Sequence, residues 1–235
     1  MVSNNALIQI LPDYYDAAIN KCRGIQNILI ETRNERVQPE ASLVGGSPIS
    51  SNGAGMTLGG SGTYNRTVAF LTCGHGMTVG ADLLAGNTIV GTVSRVQRAD
   101  NASGDYSITA AASGYTASSY VLTTGGNTLR YGGYLTNPAV GTYLYKYGKS
   151  SGQAYCKVTE TGVSVLADKT ITITNMTVAS IESGTTGAGD SGGPYRNGDY
   201  FCGIHQGSNT STNVTYVYFT PYAEPYNAGF RISTN

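Results

Sequence analysis

From Val44 onward the sequence alternates short runs of β-branched and aromatic residues with clusters of Gly, Asn, Ser and Asp. Regular short runs separated by turn residues predict strands and are typical of a β-sandwich or a β-barrel. Apart from a possible final turn at Pro221–Asn227, no convincing helical pattern follows residue 43. We therefore expect an all-β fold. The runs are Thr67–Thr72, Thr88–Val96, Asp105–Ala110, Thr142–Tyr147, Lys157–Val165, Thr170–Val178 and Asn213–Phe219.

The composition excludes several classes of protein. Charged residues make up only 12% of the 235 residues and the formal net charge is +0, so we expect no nucleic-acid partner and no binding to acidic lipid. The chain has no apolar run long enough to span a membrane. Nothing in the pattern indicates a metal, nucleotide or haem cofactor, and we expect a monomer.

The first 40 residues differ in composition from the rest, with more charges and almost no glycine. Leu7–Leu11 and Asn27–Thr32 predict strands, and a helical stripe from Asp13 to Ile25 predicts a helix between them. We interpret residues 1–40 as a small α/β extension, or as the remnant of a pro-segment, ahead of a main domain at 41–235. Met1–Leu11 lacks the pattern of a signal peptide, yet the weakly charged composition suggests a secreted protein.

The four cysteines are widely spaced, which makes a zinc knuckle improbable. A secreted protein can form disulfide bonds, so we expect disulfides here. Four cysteines allow three pairings, and the sequence does not choose among them. The cysteines are Cys22, Cys73, Cys156 and Cys202.

The segment Gly187–Pro194 reads GAGDSGGP and offers a candidate nucleophile, Ser191. A serine hydroxyl needs a base to take its proton and needs hydrogen-bond donors for the oxyanion that forms. Glycines around Ser191 let the backbone turn sharply so that amide groups can face a substrate. The alternative interpretation is an ordinary glycine-rich β-turn.

A candidate base and a candidate carboxylate come from the first half of the main domain. His75 follows the apolar run Val68–Leu71, and Asp105 opens the strand-like GDYSI segment. Asp105 could orient His75 and stabilise its imidazolium form. Asp82 and Asp100 are rivals, but neither opens an apolar strand. A histidine and an aspartate at turns remain the structural alternatives.

The chain order His75, Asp105, Ser191 is that of the chymotrypsin class. On these residues and six stretches, residues 41–235 resemble the bacterial chymotrypsin-fold serine proteases, the group of alpha-lytic protease and the streptogrisins. The stretches are ASLVGG at Ala41–Gly46, FLTCGH at Phe70–His75, GDYSI at Gly104–Ile108, YGKSSG at Tyr147–Gly152, GDSGGP at Gly189–Pro194 and CGIHQG at Cys202–Gly207.

The resemblance implies two packed six-stranded antiparallel β-barrels, with their boundary near residues 125–140 and the active site in the crevice. Ser191 would attack a peptide bond, with His75 as the base and Asp105 holding His75. The amides of Gly189 and Ser191 would form the oxyanion hole. The substrate would be a peptide or protein.

The resemblance also implies a cation for Asp190, because this carboxylate is buried in relatives and fixes the oxyanion loop. Secreted bacterial relatives use an arginine for this purpose. Lys146 occupies the similar place here, so we expect an Asp190–Lys146 ion pair.

One departure concerns cysteines. Relatives have a cysteine directly after the catalytic histidine. Here Gly76 follows His75, and Cys73 lies two residues before it. We expect Cys73 to be a buried structural thiol or part of a new disulfide.

The specificity pocket resembles that of glutamyl endopeptidases. His205 lies in the GIHQG segment, where a histidine in that group meets the substrate carboxylate, and Thr185, Thr186 and Ser208 also match. Ala188 departs from some members of the group, which have serine there. We predict a preference for Glu or Asp at P1, the residue before the cleaved bond, with a small or apolar P1 pocket as the alternative.

Glu40 precedes Ala41, where the mature enzyme would begin by this resemblance, so the chain could cut its own Glu40–Ala41 bond as a zymogen. Two other functions compete with a protease. One is an inactive binding protein on a protease fold, and the other is a β-sandwich adhesin with an accidental GDSGG segment.

Overall fold

The structure, a computed structural model, describes residues 7–9, 29–31, 41–167 and 170–234. The chain divides into two compact units, Met1–Pro39 and Glu40–Asn235. In the first unit, β1 (Leu7–Gln9) and β2 (Leu29–Glu31) pair in parallel. Both lie within segments predicted as strands, and the helix expected between them falls outside the described residues.

The described residues of the second unit are almost entirely strands. These are β3 (Ala41–Ser42), β4 (Pro48–Ser51), β5 (Ala54–Thr57), β6 (Gly60–Tyr64), β7 (Thr67–Thr72), β8 (Asp82–Ala85), β9 (Thr88–Gln97), β10 (Ala102–Ser103), β11 (Tyr106–Ala111), β12 (Tyr115–Thr116), β13 (Tyr120–Leu122), β14 (Thr128–Arg130), β15 (Gly133–Tyr134), β16 (Tyr143–Gly148), β17 (Gly152–Ala167), β18 (Ile171–Ser183), β19 (Pro194–Asn197), β20 (Tyr200–Ser211), β21 (Val214–Pro221) and β22 (Arg231–Ile232). One short helix, α1 (Ala223–Asn227), lies at the expected final turn. In the described residues, no helix has the length and apolar character needed to cross a bilayer.

The first barrel is a closed ring of antiparallel strands. The pairing runs from β4 through β8, β9, β11 and β7 to β6, and β4 also pairs with β5. Strands β5 and β6 are halves of one bent strand, so the ring has six strands. Gly59 lies at the bend, where an added Cβ would come within 2.5 Å of Ile204 Cγ2 and 2.9 Å of Leu71 O. A glycine is therefore needed at this corner.

The second barrel is also a closed ring of six antiparallel strands. Its pairing order is β16, β17, β18, β21, β20 and β19, and β19 returns to β16. The short strands β10 and β15 add to it in parallel. The predicted fold of two six-stranded antiparallel barrels is confirmed, with these short strands as additions at the margins.

Strand β7 shows why the sequence folds in this way. Successive side chains of a strand point to opposite faces. Phe70 packs inside the first barrel, whereas its neighbours Ala69 and Leu71 belong to a core shared with Phe201 and Ile204 of β20. Both faces of β7 are buried, so the strand is a continuous apolar run. Its C-terminal end consequently opens at the seam between the barrels.

Strand lengths differ from the sequence prediction in the second barrel. Strands β17 and β18 span 16 and 13 residues, longer than the predicted runs. Their outer ends are largely exposed, so the apolar pattern that indicates a strand is weak there. The residue pattern alone did not predict strand β20, because Gly203 and Gly207 interrupt it.

Candidate active site

The sheet pairing brings Asp105 next to His75. In the β7–β11 pair, Ser107 is opposite Thr72, so the residue before β11 faces the residues after β7. Asp105 Oδ1 accepts hydrogen bonds from the backbone N–H groups of Gly74 at 2.8 Å and His75 at 2.9 Å. A Cβ on Gly74 would lie 2.5 Å from this oxygen, so only glycine leaves room for the carboxylate.

The second carboxylate oxygen of Asp105 holds the His75 ring. Nδ1 of His75 lies 2.6 Å from Oδ2, and the Asp105 side chain is fully buried. Burial lowers the pKa of His75, but its interactions with Cys73 and Asp105 outweigh this effect and raise the pKa above its ordinary value. With Nδ1 bonded to the carboxylate, Nε2 is the ring nitrogen that can exchange a proton with a substrate.

Two partners of Asp105 were not foreseen from the sequence. Arg98 Nη1 lies 3.0 Å from Asp105 Oδ2. Thr220, on β21 of the second barrel, accepts from the Asp105 N–H at 2.8 Å and donates to the Asp105 carbonyl at 3.1 Å. Thr220 therefore ties the backbone of Asp105 to the opposite barrel. Arg98 directly follows the end of β9 that pairs with the start of β11. This position next to Asp105 is the sequence feature that could have indicated the contact.

Ser191 lies in a loop that contacts the end of β7. Thr57 N–H donates to the Ser191 carbonyl at 2.8 Å, and Gly192 N–H donates to the His205 carbonyl at 2.7 Å. A Cβ on Gly192 would lie 3.0 Å from the Cys73 nitrogen, so the loop packs against the segment that carries His75. The Ser191 hydroxyl donates to Gln206 O at 3.4 Å and forms no hydrogen bond with the His75 ring among the described contacts.

The backbone around Ser191 leaves two amides available. Gly189 has a φ of 95°, a conformation that favours glycine. The N–H groups of Gly189 and Ser191 have no hydrogen-bond acceptor among the described residues. They are therefore able to bind an oxyanion.

The Asp190 side chain anchors this loop. Its Oδ1 accepts from the N–H groups of Ser150 at 3.0 Å and Ser151 at 3.1 Å, and its Oδ2 accepts from Gly187 N–H at 3.0 Å. Lys146 Nζ lies 2.7 Å from Oδ2, and both side chains are fully buried. Burial alone would raise the pKa of Asp190. The hydrogen bonds from Lys146 and Ser151 outweigh this effect and lower the pKa to about 2. The structure thus brings together the expected pair.

The residues expected in the pocket are only partly together. His205 is buried, with Nε2 3.2 Å from Thr186 Oγ1 and Nδ1 3.0 Å from the hydroxyl of Tyr195. Ser208 is exposed and lines a cleft of 740 Å³ that also contains His75. Thr185 is exposed and has no hydrogen bond to His205 among the described residues. Tyr195 is a partner that the sequence analysis missed.

The cleft runs along the second barrel. His75 and Arg98 form one part of its lining, and Gln206–Asn209 of β20 form another. Val163–Ala167, in the long outer part of β17, also belongs to this lining, with further residues from β17, β18 and β21. The extension of β17 thus shapes the groove beside the His75 ring. In the described ranges no cluster of three or more His, Cys, Asp or Glu side chains could hold a metal ion.

The expectation of disulfide bonds is not met among the described cysteines. Cys73, Cys156 and Cys202 are free and buried, and Cys22 lies outside the described residues. Cys73 packs in the first barrel, while Cys156 and Cys202 pack in the second. Each thiol fills apolar space as a small hydrophobic side chain. Burial raises the pKa of both second-barrel thiols to about 12.

Comparison with known proteins identifies the fold. No family model and no curated protein matches the sequence. Thermobifida fusca protease A is 21% identical to this chain, with a TM-score of 0.70. The match covers 82% of this chain and 100% of the Thermobifida protein. Cellulomonas bogoriensis chymotrypsin is also 21% identical to this chain, with a TM-score of 0.71. The match covers 83% of this chain and 100% of the Cellulomonas protein.

A glutamic acid specific serine protease, described as using a novel histidine triad in substrate binding, is 24% identical with a TM-score of 0.66. The match covers 79% of this chain and 97% of the glutamic acid specific protease. The chain therefore has the two-barrel fold of the bacterial chymotrypsin-like proteases.

Proposed function

We propose that this protein is a serine endopeptidase that acts outside the cell, as a monomer, on peptide or protein substrates. The observation that carries the proposal is the contact between His75 Nδ1 and the buried Asp105 carboxylate at 2.6 Å, in the crevice next to the Ser191 loop. Such a carboxylate fixes the ring orientation and stabilises the imidazolium that forms during catalysis.

In the proposed mechanism, Ser191 Oγ attacks the scissile carbonyl while His75 Nε2 takes the hydroxyl proton. For this step the Ser191 hydroxyl leaves the Gln206 carbonyl and turns toward the ring. The free amides of Gly189 and Ser191 bind the oxyanion. His75 then protonates the leaving amine and later activates the water that hydrolyses the acyl-enzyme.

The oxyanion loop needs no free chain terminus in this proposal. Asp190 already has an internal cation, Lys146, at 2.7 Å. The Gly189 and Ser191 amides are therefore positioned without a cleavage that creates a new N-terminus.

For the P1 residue we propose Glu or Asp. Support comes from His205 with Thr186 beside it, from Ser208 in the cleft, and from the likeness to a glutamic acid specific protease. Thr185 is exposed, so in this proposal it contacts the substrate at most at the rim of the P1 pocket. The alternative is a small or apolar P1 residue, which the buried surroundings of His205 would also tolerate.

An inactive binding protein is the competing function, but all three side chains of the reaction are present. The test is a fluorogenic peptide series that varies only P1, run beside labelling with a fluorophosphonate probe. We expect cleavage after Glu, and labelling that disappears in Ser191→Ala, with residual turnover lowered by about 10⁴-fold or more. Absence of both labelling and cleavage in the wild-type protein would overturn the protease proposal.

A further inference from the structure

Tyr195 forms a buried hydrogen-bonded pair with His205, the histidine proposed for P1 recognition. They lie on the antiparallel strands β19 and β20, and both are buried. The Tyr195 hydroxyl lies 3.0 Å from His205 Nδ1. The Tyr195 ring stacks on Phe219 with centroids 4.2 Å apart, which holds the hydroxyl in place.

Hydrogen-bond accounting assigns the proton of His205. The Tyr195 hydroxyl has His205 Nδ1 as its hydrogen-bond partner among the described residues, so its proton has an acceptor only if Nδ1 is bare. A buried hydroxyl without an acceptor is costly. Tyr195 therefore donates to Nδ1, and the ring proton sits on Nε2.

The other side of the ring requires the same arrangement. The Thr186 hydroxyl lies 3.2 Å from His205 Nε2 and donates to Asp190 Oδ2 at 3.5 Å. Because its own proton goes to the carboxylate, Thr186 can only accept from the ring. A single direction of donation then satisfies the series Tyr195, His205, Thr186 and Asp190.

Burial is the main reason that the His205 ring stays neutral. Burial lowers the pKa of His205, the Lys146 ammonium and His75 lower it further, and Asp190 raises it in part, with a net value of about 3. Lys146 and Asp190 also pair with each other, so they offer little net field. The chain has only 2 histidines, which excludes a three-histidine arrangement in substrate binding.

We propose that Tyr195 is a positioning residue that locks His205 as a neutral ring with its proton on Nε2. A P1 side-chain oxygen that takes the place of the Thr186 hydroxyl as acceptor then meets an uncharged donor, so the pocket selects a side-chain carbonyl oxygen at P1 rather than a negative charge. Glutamine is then a substrate alongside glutamate. This inference rests on the proposed function and refines its P1 preference. A neutral donor gives a buried carboxylate no opposite charge, whereas an amide loses less hydration on entering the pocket.

The first test uses peptides that differ only in Glu, Gln or Met at P1. Met matches Gln in length but carries no oxygen. We expect kcat/KM for Gln within about tenfold of Glu, both at least about tenfold above Met, and a Glu-to-Gln ratio that stays constant from pH 6 to 9. Gln cleaved no better than Met, or a Glu-to-Gln ratio that climbs as pH falls, would overturn the inference.

The second test removes the Tyr195 hydroxyl. In Tyr195→Phe we expect kcat/KM to fall about tenfold for Glu and Gln, with the Met peptide unchanged. Tyr131→Phe is the matched control, because Tyr131 is fully buried and its hydroxyl lacks a partner among the described residues. An equal fall for all three peptides in Tyr195→Phe would mean a merely structural role and would refute the inference.

A spectroscopic measurement on the wild-type protein avoids any problem with folding of the variant. Nitrogen-15 shifts of the His205 ring should report a bare Nδ1 and a protonated Nε2 between pH 5 and 8. The opposite tautomer, or a doubly protonated ring in that range, contradicts the inference. Wild-type protein that reacts with the fluorophosphonate but ignores Gln refutes this inference alone, whereas unreactive protein refutes the protease proposal.

Discussion

Arg98 and His75 share one oxygen of Asp105. Arg98 Nη1 lies 3.0 Å from Oδ2, and His75 Nδ1 lies 2.6 Å from the same atom. The Arg98 side chain is only 13% exposed, so solvent screens its charge incompletely. A cation on this oxygen weakens the pull of the carboxylate on the imidazolium proton, so we expect Arg98 to moderate the basicity of His75.

Removing Arg98 should therefore make His75 more basic. The pKa of His75 is already raised, and a general base works only when it is unprotonated, so kcat/KM should fall as pH drops through that pKa. In Arg98→Ala we expect the acid limb of the kcat/KM profile to move to higher pH by about one unit. Arg98→Lys keeps the charge and should stay closer to the wild type. An acid limb that does not move in Arg98→Ala would show that the guanidinium has no influence on the base.

The Asp190–Lys146 pair should be essential for stability. Lys146→Met leaves the Asp190 carboxylate buried without its cation, which should cost about 3–5 kcal/mol in the free energy of unfolding. The double variant Lys146→Met, Asp190→Asn has no buried charge at this site and should recover part of that loss. Urea denaturation measures all three proteins. A loss below about 1 kcal/mol in the single variant would argue that the carboxylate finds another partner.

Asp190 should also govern stability in acid. Its pKa in the folded protein is about 2, below the ordinary aspartate value of about 3.9 in an unfolded chain. A lowered carboxyl pKa gives stability that is complete above about pH 4 and is lost as pH falls toward 2. The wild type should lose about 2 kcal/mol more than Asp190→Asn between pH 5 and pH 2, as measured by denaturation at each pH. Parallel curves for the two proteins would assign the acid sensitivity to other groups.

The free cysteines can be counted chemically. Without reductant, unfolded protein should react with iodoacetamide at three or more thiols, because Cys73, Cys156 and Cys202 are unpaired. Native protein should resist the reagent at Cys156 and Cys202, since burial raises both thiol pKa values to about 12. Mass spectrometry of the alkylated peptides identifies each site. A disulfide between any two of these three cysteines would contradict the structure.

The Glu40–Ala41 bond should be cut by the protein itself. Purified full-length chain should convert to a product that begins at Ala41, while Ser191→Ala should remain intact under the same conditions. Glu40→Ala should block the conversion, and Glu40→Gln should preserve it if the pocket accepts a neutral oxygen. N-terminal sequencing and intact mass read out the cleavage. Conversion of Ser191→Ala at the wild-type rate would point to a contaminating protease.

Much of the barrel architecture is readable from the sequence. The run Thr67–Thr72 is apolar on both faces and becomes β7, which is buried by one barrel core on one face and the shared core on the other. Strands with a weak apolar pattern were harder to predict. Half of β20 is exposed and glycines interrupt it, so its pairing with β19 and β21 compensates for a poor local signal.

The sequence by itself determined the alternation that builds two barrels and the segments that carry His75, Asp105 and Ser191, because strand periodicity and turn chemistry are local properties. Only the tertiary structure decided which side chains surround them. Thr220 meets Asp105 across 115 positions of the chain, and its hydroxyl bonds both the N–H and the carbonyl of that residue. Such contacts depend on how the barrels close and pack, and no local pattern encodes the distance between two side chains far apart in sequence. The same holds for the Tyr195 hydroxyl, whose direction follows from the stacking of its ring on Phe219.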